Sequence, residues 1–374
     1  MKNECLENIH IQLRNLGIQD SLDSIVKVGP WLRTYKFAKL IPLLTYIDDK
    51  KHFDPVQLVE QGISYTEISK SFSGNFGTLY SAIRQTSKHT KSIYLKGAKE
   101  DKKGEKNSIH IEGLLQALSY SVLSTYGFPW AVPRVLDIVR HPHLDIVFTV
   151  EKCPDAKLFH EYLHSNILWG EQTHQNDYII LTIISQLATY LAILEHELLL
   201  NHRDLTGSNV LMIVPTDLIS KTISVGNVEW TLLINHKAIL VDFGFAAIGS
   251  MPSRKTIVSA GDFFSDSDVC PKEGRDLFLF LASLWKNPLV RQSVTPNTMN
   301  LFKKWLTQSS TGKHWSDWME GFNIDIRSLY LLTIHESFSN KNTNPFSILH
   351  DISREYPFLV SFPVAKRPPT PVPS

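Results

Sequence analysis

NHRDLTGSN (residues 201–209) and VDFGF (residues 241–245) are the two stretches on which the reading of this chain turns. Each sets polar groups between apolar flanks. Leu198, Leu199 and Leu200 precede the first, Val210, Leu211 and Met212 follow it, and Ile239, Leu240 and Val241 run into the second. Such flanks read as short buried strands that hold the polar residues still. Asp204, Asn209 and Asp242 are then offered from loops fixed by core strands. Two carboxylates and an amide are hard oxygen ligands of the kind Mg²⁺ takes alongside waters and phosphates.

HRDLTGSN resembles the catalytic loop of protein kinases, and DFG resembles their metal-binding motif. DFG alone carries little. HRD with Asn five residues after its Asp, then DFG after an apolar strand, is specific because several parts stand in order. The resemblance implies that Asp204 accepts or orients the proton of a substrate hydroxyl. It implies that Asn209 and Asp242 hold Mg²⁺ against the phosphates of ATP, so that positioning and charge neutralisation do most of the catalysis. His202 and Phe243 would pack, and Gly244 would let the backbone turn sharply. Arg203 would either bind a phosphate on the activation segment or pair with a carboxylate.

Upstream, SFSGNFGTLYSA (residues 71–82) resembles the glycine-rich loop that covers ATP phosphates. Gly74, Phe76 and Gly77 are in place, Phe72 stands where the family has its first glycine, and Leu79 would lie over the adenine. A backbone free of side chains can approach phosphate oxygens closely. SIYLK (residues 92–96) reads as the next strand. Its Lys96 resembles the lysine that grips the α- and β-phosphates, with Lys99 the alternative because Tyr94 stands where the family carries Ala. Residues 108–123 form an amphipathic stripe of Ile111, Leu114, Leu115, Leu118 and Val122. Glu112, beside the stripe, resembles the partner of that lysine; ordinary surface charges are the alternative for both. Residues 144–150 are β-type, and Glu151, Lys152 and Cys153 after them resemble the hinge that meets adenine with backbone groups, with Val150 guarding the pocket behind.

YIILTIISQLATYLAIL (residues 178–194) is long and apolar, with Asp177 expected as its N-cap. The resemblance makes it a buried core helix rather than a membrane span. Between Asn209 and Asp242 the chain is longer than a short hairpin needs, and residues 225–234, with Gly226-Asn227 at a turn, predict extra β-structure near the hinge side and away from the phosphates. Residues 246–270 would be the activation segment, with Ser250, Ser253, Thr256 and Ser259 open to phosphorylation. GDFFSDSD (residues 261–268) stands where the family has APE. In GRDLFLFLASL (residues 274–284), Asp276 matches the acid that anchors the catalytic-loop backbone, and a buried acid needs such partners. Helices are expected over 301–306, 315–319 and 326–338, and a disordered Pro-rich tail over 363–374.

At 374 residues with a net charge of +1, the chain has the length for about two structural units and no charge excess that calls for nucleic acid or a membrane surface. Cys5, Cys153 and Cys270 are far apart and suggest reduced thiols in an intracellular setting, and the N-terminus shows no apolar signal region. The resemblance, over roughly 66–340, implies an α+β, two-lobed protein-kinase-like fold. Its parts would be a helical extension over 1–64, a small β-rich lobe over 65–153, a larger mostly helical lobe over 154–362 and the tail. It places the chain near divergent members such as the haspin-like group and the kinases of large DNA viruses. The expected activity is transfer of the γ-phosphate of Mg-ATP to Ser or Thr of a protein substrate, in the cytoplasm, or in a host cell or virion if the source is viral. A small-molecule kinase on the same fold and a non-transferring pseudokinase scaffold are the alternatives. Thr206, where Ser/Thr kinases usually have lysine, leaves the hydroxyl specificity open. The oligomeric state is not legible.

Overall fold

The computed structural model describes residues 62–73, 77–98, 109–141, 145–214, 217–249, 256–260, 264, 268–307, 326–335 and 338–363. Most of the expected N-terminal extension, Gly74, Phe76, Lys99, the 315–319 helix and nearly all of the Pro-rich tail lie outside these residues. Among the described residues the fold is α+β, with eight α-helices and four antiparallel sheets.

The largest sheet contains β1 (Ser64–Ser73), β2 (Gly77–Gln85), β3 (Thr90–Ala98), β4 (Val135–His141) and β5 (Asp145–Glu151), in the order β1-β2-β3-β5-β4. Strict alternation on β3 divides its side chains between two faces. Ile93 and Leu95 join Ala82 and Val147 in a small apolar cluster on one side. Tyr94 and Lys96 point to the other, level with Val150 and Phe148 of β5. Helix α1 (Ile109–Thr125) docks on that second face, burying the expected stripe. Gly113 allows the approach, since a Cβ there would stand 3.0 Å from the Phe148 ring.

After residue 156 most of the described residues in regular elements are helical. β6 (Lys157–Leu158) leads into α2 (Phe159–Asn166), and α3 (His174–Leu198) forms the centre of the core. α3 is long and apolar enough to cross a membrane, but 94% of its most apolar window is buried inside the protein. It starts before the expected cap. Thr173 caps it by accepting from Asn176 N, while Asp177 sits fully buried in the first turn. The Asp177 carboxylate is committed elsewhere, accepting from Thr295 N at 2.9 Å, Thr295 Oγ1 at 2.6 Å and Tyr356 Oη at 3.0 Å. The flank 198–200 is likewise not one strand. The helix runs to Leu198, Leu199 closes it in the left-handed conformation, and only β7 (Leu200–Asn201) is extended.

β8 (Val210–Ile213) pairs with β6 and with β11 (Lys237–Leu240). The inserted β-structure is a hairpin of β9 (Ile219–Val225) and β10 (Val228–Ile234), with Gly226 in the left-handed region at its turn. It lies on α3 and on the loop after α1, where Lys221 Nζ sits 5.2 Å from the centre of the Phe128 ring. Trp230 is fully buried and donates from Nε1 to Thr189 Oγ1 at 3.2 Å. Trp230→Ala should therefore lower the unfolding free energy by about 3–5 kcal/mol, the usual range for a buried aromatic. Urea denaturation measures it, and a loss under about 1 kcal/mol would show the hairpin to be peripheral.

β12 (Ala247–Gly249) pairs with β7 and with β13 (Thr256–Ser259). The remaining helices are α4 (Arg275–Trp285), α5 (Pro288–Ser293), α6 (Pro296–Trp305), α7 (Ile326–Ile334) and α8 (Pro345–Glu355). The chain then returns as β14 (Val360–Ser361) to pair with β10. Neither α8 nor β14 is foreseen from the sequence, and α7 ends earlier than the expected 338.

Candidate active site

The backbone at the start of the loop between β7 and β8 is held by one carboxylate. Asp276, in the first turn of α4 and 1% exposed, accepts from His202 N at 2.7 Å, Arg203 N at 2.8 Å and Asn201 Nδ2 at 3.3 Å. These bonds fix Arg203 at φ +64°, a left-handed conformation that costs a non-glycine residue about 1–2 kcal/mol. Asp204 follows immediately. Its Oδ2 accepts from Asn209 Nδ2 at 2.8 Å, and its backbone carbonyl accepts from the same nitrogen at 2.7 Å. With its nitrogen committed to Asp204, Asn209 has its amide oxygen to offer a ligand. His202 packs at a tilt of 53° against buried Phe243, 4.9 Å between ring centres, and meets the Val241 carbonyl through Nε2 at 3.1 Å. Burial keeps its imidazole below the ordinary histidine range, hence neutral, as suits a packing residue.

The second stretch reaches this loop through the sheet. Val210 pairs with Leu240, and Val241 N donates to Asn209 O at 3.1 Å, which carries Asp242 alongside. The sharp turn falls on Asp242 itself, at φ +64°, and not on Gly244. Gly244 supplies space instead: a Cβ there would lie 3.1 Å from Asp242 Oδ1 and 3.5 Å from Glu112 Oε2.

Lys96 ties the sheet to both. Its ammonium donates to Glu112 Oε1 at 2.5 Å and to Asp242 Oδ1 at 2.8 Å. Gly77 gives the lysine stem room, because a Cβ there would meet Lys96 Cε at 3.3 Å. Burial works to discharge the ammonium, but Glu112 and Asp242 outweigh it and hold Lys96 above the usual lysine range. The Asp242 side chain is 47% exposed, so the burial that would raise it is partial, and Lys96 outweighs it and keeps that carboxylate below its ordinary value. Glu112 is pushed up to about 7 by burial, with Lys96 opposing. Asp204 is pushed up to about 7, first by burial and then by the charge of Asp242.

The sheet's connection to the helical part is less open than its sequence suggests. Glu151 N donates to Arg134 O at 3.0 Å and its carboxylate pairs with Lys91 at 2.7 Å, so neither group is open to a ligand. Cys153 is partly buried, and burial, then Glu151, pushes its thiol up to about 11. Lys152 donates to Ser81 Oγ at 2.7 Å and lies 4.7 Å from the centre of the Tyr94 ring, and Leu79 is half-buried on the strand beside Lys96.

Arg203 is carboxylate-paired, to Asp268 at 2.9 Å. Sequence reasoning did not single out Asp268, Lys272 or the scaffolding amide of Asn201, which accepts from Lys272 N at 2.6 Å. The available signal was charge inside an apolar context: Lys272, Arg275 and Asp276 immediately precede LFLFLASL, where charges need partners. Among the described residues no group of three or more His, Cys, Asp or Glu side chains could hold a metal ion. Asp242 and Asn209 are a two-ligand set, which suits a cation completed by phosphates and water. Compared with models of protein families and with curated proteins, the sequence matches none.

Proposed function

We propose that this chain is a protein kinase that transfers the γ-phosphate of Mg-ATP to a serine or threonine hydroxyl. The observation that carries the reading is the convergence of Lys96 on both Glu112 and Asp242, with Asp204 and Asn209 joined to Asp242 through the Val241–Asn209 backbone bond. A cation on two carboxylates beside a half-buried acid bonded to a buried amide is a charge pattern for phosphates, metal and an incoming hydroxyl. Ionised Asp242 and the oxygen of Asn209 are fitting ligands for Mg²⁺, which when bound would neutralise charge on the phosphates. Lys96 would orient the α- and β-phosphates, with Glu112 holding its ammonium in place. Asp204 would orient the acceptor hydroxyl and take its proton as the new O–P bond forms and the bond to ADP breaks. Asn209 keeps Asp204 aimed. Thr206, hydrogen-bonded to Ser208 at 2.7 Å, brings no cation to the transferring phosphate, so that charge falls to the metal and Lys96.

The pH dependence follows from Asp204. An acid at its ordinary value would be ionised throughout the neutral range. With its carboxyl raised to about 7, kcat/KM, which reports the free enzyme, should rise with pH and level off above about 7. At one unit below the midpoint it should be about a tenth of the plateau. A profile flat from pH 5.5 to 8 would contradict this role (about 30-fold of range in ionised fraction is at stake).

Incubation of the protein with labelled ATP, Mg²⁺ and a generic protein acceptor tests the function. Label on Ser or Thr supports the reading, and label only on added small acceptors moves it to a small-molecule kinase. Tyr94 under Lys152 favours a second reading, a scaffold whose base slot is filled by side chains. Absence of both nucleotide binding and transfer would sink the kinase reading and leave the scaffold reading standing.

A further inference from the structure

We propose that Asp268 is a positioning residue for the catalytic loop, a built-in anion that holds Arg203 and thereby fixes Asp204. This rests on the kinase reading for its consequence, though not for its geometry. Three cations converge on this one carboxylate. Arg203 Nη2 lies 2.9 Å from Oδ2, Lys272 Nζ 3.0 Å from Oδ1, and Arg275 makes a two-pronged pair at 2.6 and 2.7 Å. All four side chains are at most 3% exposed. Both guanidinium groups also stack on Phe264, at 4.7 and 5.5 Å from the ring centre.

The cluster ties separate stretches together. Arg203 further donates to Thr256 Oγ1 at 2.6 Å and Ser259 Oγ at 3.2 Å, and Thr256 Oγ1 donates to the Asp268 carbonyl at 2.8 Å. Lys272 Nζ reaches the carbonyls of Thr333 at 3.0 Å and Ile334 at 3.1 Å, at the end of α7. Arg203 is thus gripped at both ends by acids: its N–H by Asp276 and its guanidinium by Asp268. Its left-handed backbone is the residue immediately before Asp204, so a released Arg203 lets Asp204 move. Without the Asp268 charge, three cations would remain packed together with no counter-ion in their midst. Buried like charges so arranged repel strongly, and the segment bearing Thr256 and Ser259 would separate from the loop.

Asp268→Asn in the full chain keeps the shape and removes the charge. Two readouts are compared with wild type: amide hydrogen exchange over residues 201–209, and the rate of phosphate transfer. The expected result is faster exchange at 201–205 and a kcat lower by about tenfold or more, with the KM for ATP changed by less than about twofold, because displacing a catalytic group by about 1 Å costs up to about 10²-fold in rate. In Asp268→Ala, added formate should restore part of the rate and chloride should not, since only a carboxylate can refill the pocket. Wild-type exchange and wild-type kcat in folded Asp268→Asn would overturn the proposal. Should that variant not fold, Arg203→Met serves, because it leaves Asp268 paired with Lys272 and Arg275; a normal kcat there would overturn the proposal equally. A wild-type protein that transfers no phosphate would sink the functional reading, and the exchange comparison would still decide the role of Asp268.

Discussion

Asp204→Asn should lower phosphate transfer by about 10³-fold, within the range that a positioned base contributes, while leaving nucleotide binding near wild type. The amide keeps the size of the side chain and can still meet Asn209, but it cannot take a proton. Lys96, which would hold the phosphates, and the two carboxylates that fix its ammonium do not depend on it. A second consequence separates this substitution from simple damage. In the wild type the Asp204 carboxyl is raised from 3.8 to about 7. Between those values the folded state holds a proton that the unfolded chain has released, so stability falls as pH rises across the window. The Asn variant lacks that slope. It should lose less stability than wild type between pH 5 and pH 8 in thermal melts. Full transfer by a folded Asp204→Asn protein would remove the proposed base, and a steeper pH loss would contradict its burial energetics.

Asp276→Ala should be among the most destabilising single changes near the site. It removes the acceptor for His202 N, Arg203 N and Asn201 Nδ2 at once, in a region closed to water. Leaving a buried donor unpaired costs about 1–3 kcal/mol, so a loss of about 3–5 kcal/mol is expected after some relaxation. The left-handed Arg203 would then relax towards ordinary φ values, turning Asp204 away. Activity should therefore fall even at temperatures where the variant stays folded. Asp276→Asn, which retains one acceptor oxygen, should be intermediate in both respects. Urea unfolding together with transfer assays checks this; a variant with unchanged stability and rate would show that the loop is held by something other than Asp276.

What was legible in the sequence was local. The polar groups of 201–209 and 241–245 lie at fixed short spacings, and their flanking apolar residues advertise the pairing of β8 with β11. Lys96 and Glu112 were reached one level further out, through the resemblance of their segments to the kinase pattern, with Lys99 and ordinary surface charges as the alternatives; their pairing is a contact between a strand and a helix. The rest depended on contacts distant in sequence. Asp177 reads as a helix cap by its type and place, yet Thr295 and Tyr356 recruit it into the core. Nothing local marks Asp268 as the partner of Arg203, since residues 203 and 268 meet only when β13 is laid along β12. Gly244 was read as the hinge of its turn because glycine tolerates any φ; the strained backbone sits on Asp242, and glycine answers a crowding visible only in three dimensions.

The lateness of the partners of α3 has a consequence for the making of the protein. The helix that leads into the loop 201–209 is completed at Leu198, but α8, β14 and Tyr356, which cover it or the hairpin upon it, lie about 150 residues further on. At about 5–20 residues per second, a ribosome needs roughly 8–30 s to supply them. Throughout that interval a helix long and apolar enough to cross a membrane lacks its final cover, and the hairpin lacks its third strand. The nascent chain must therefore be shielded, by provisional collapse or by a chaperone, for a time far longer than helix formation itself takes.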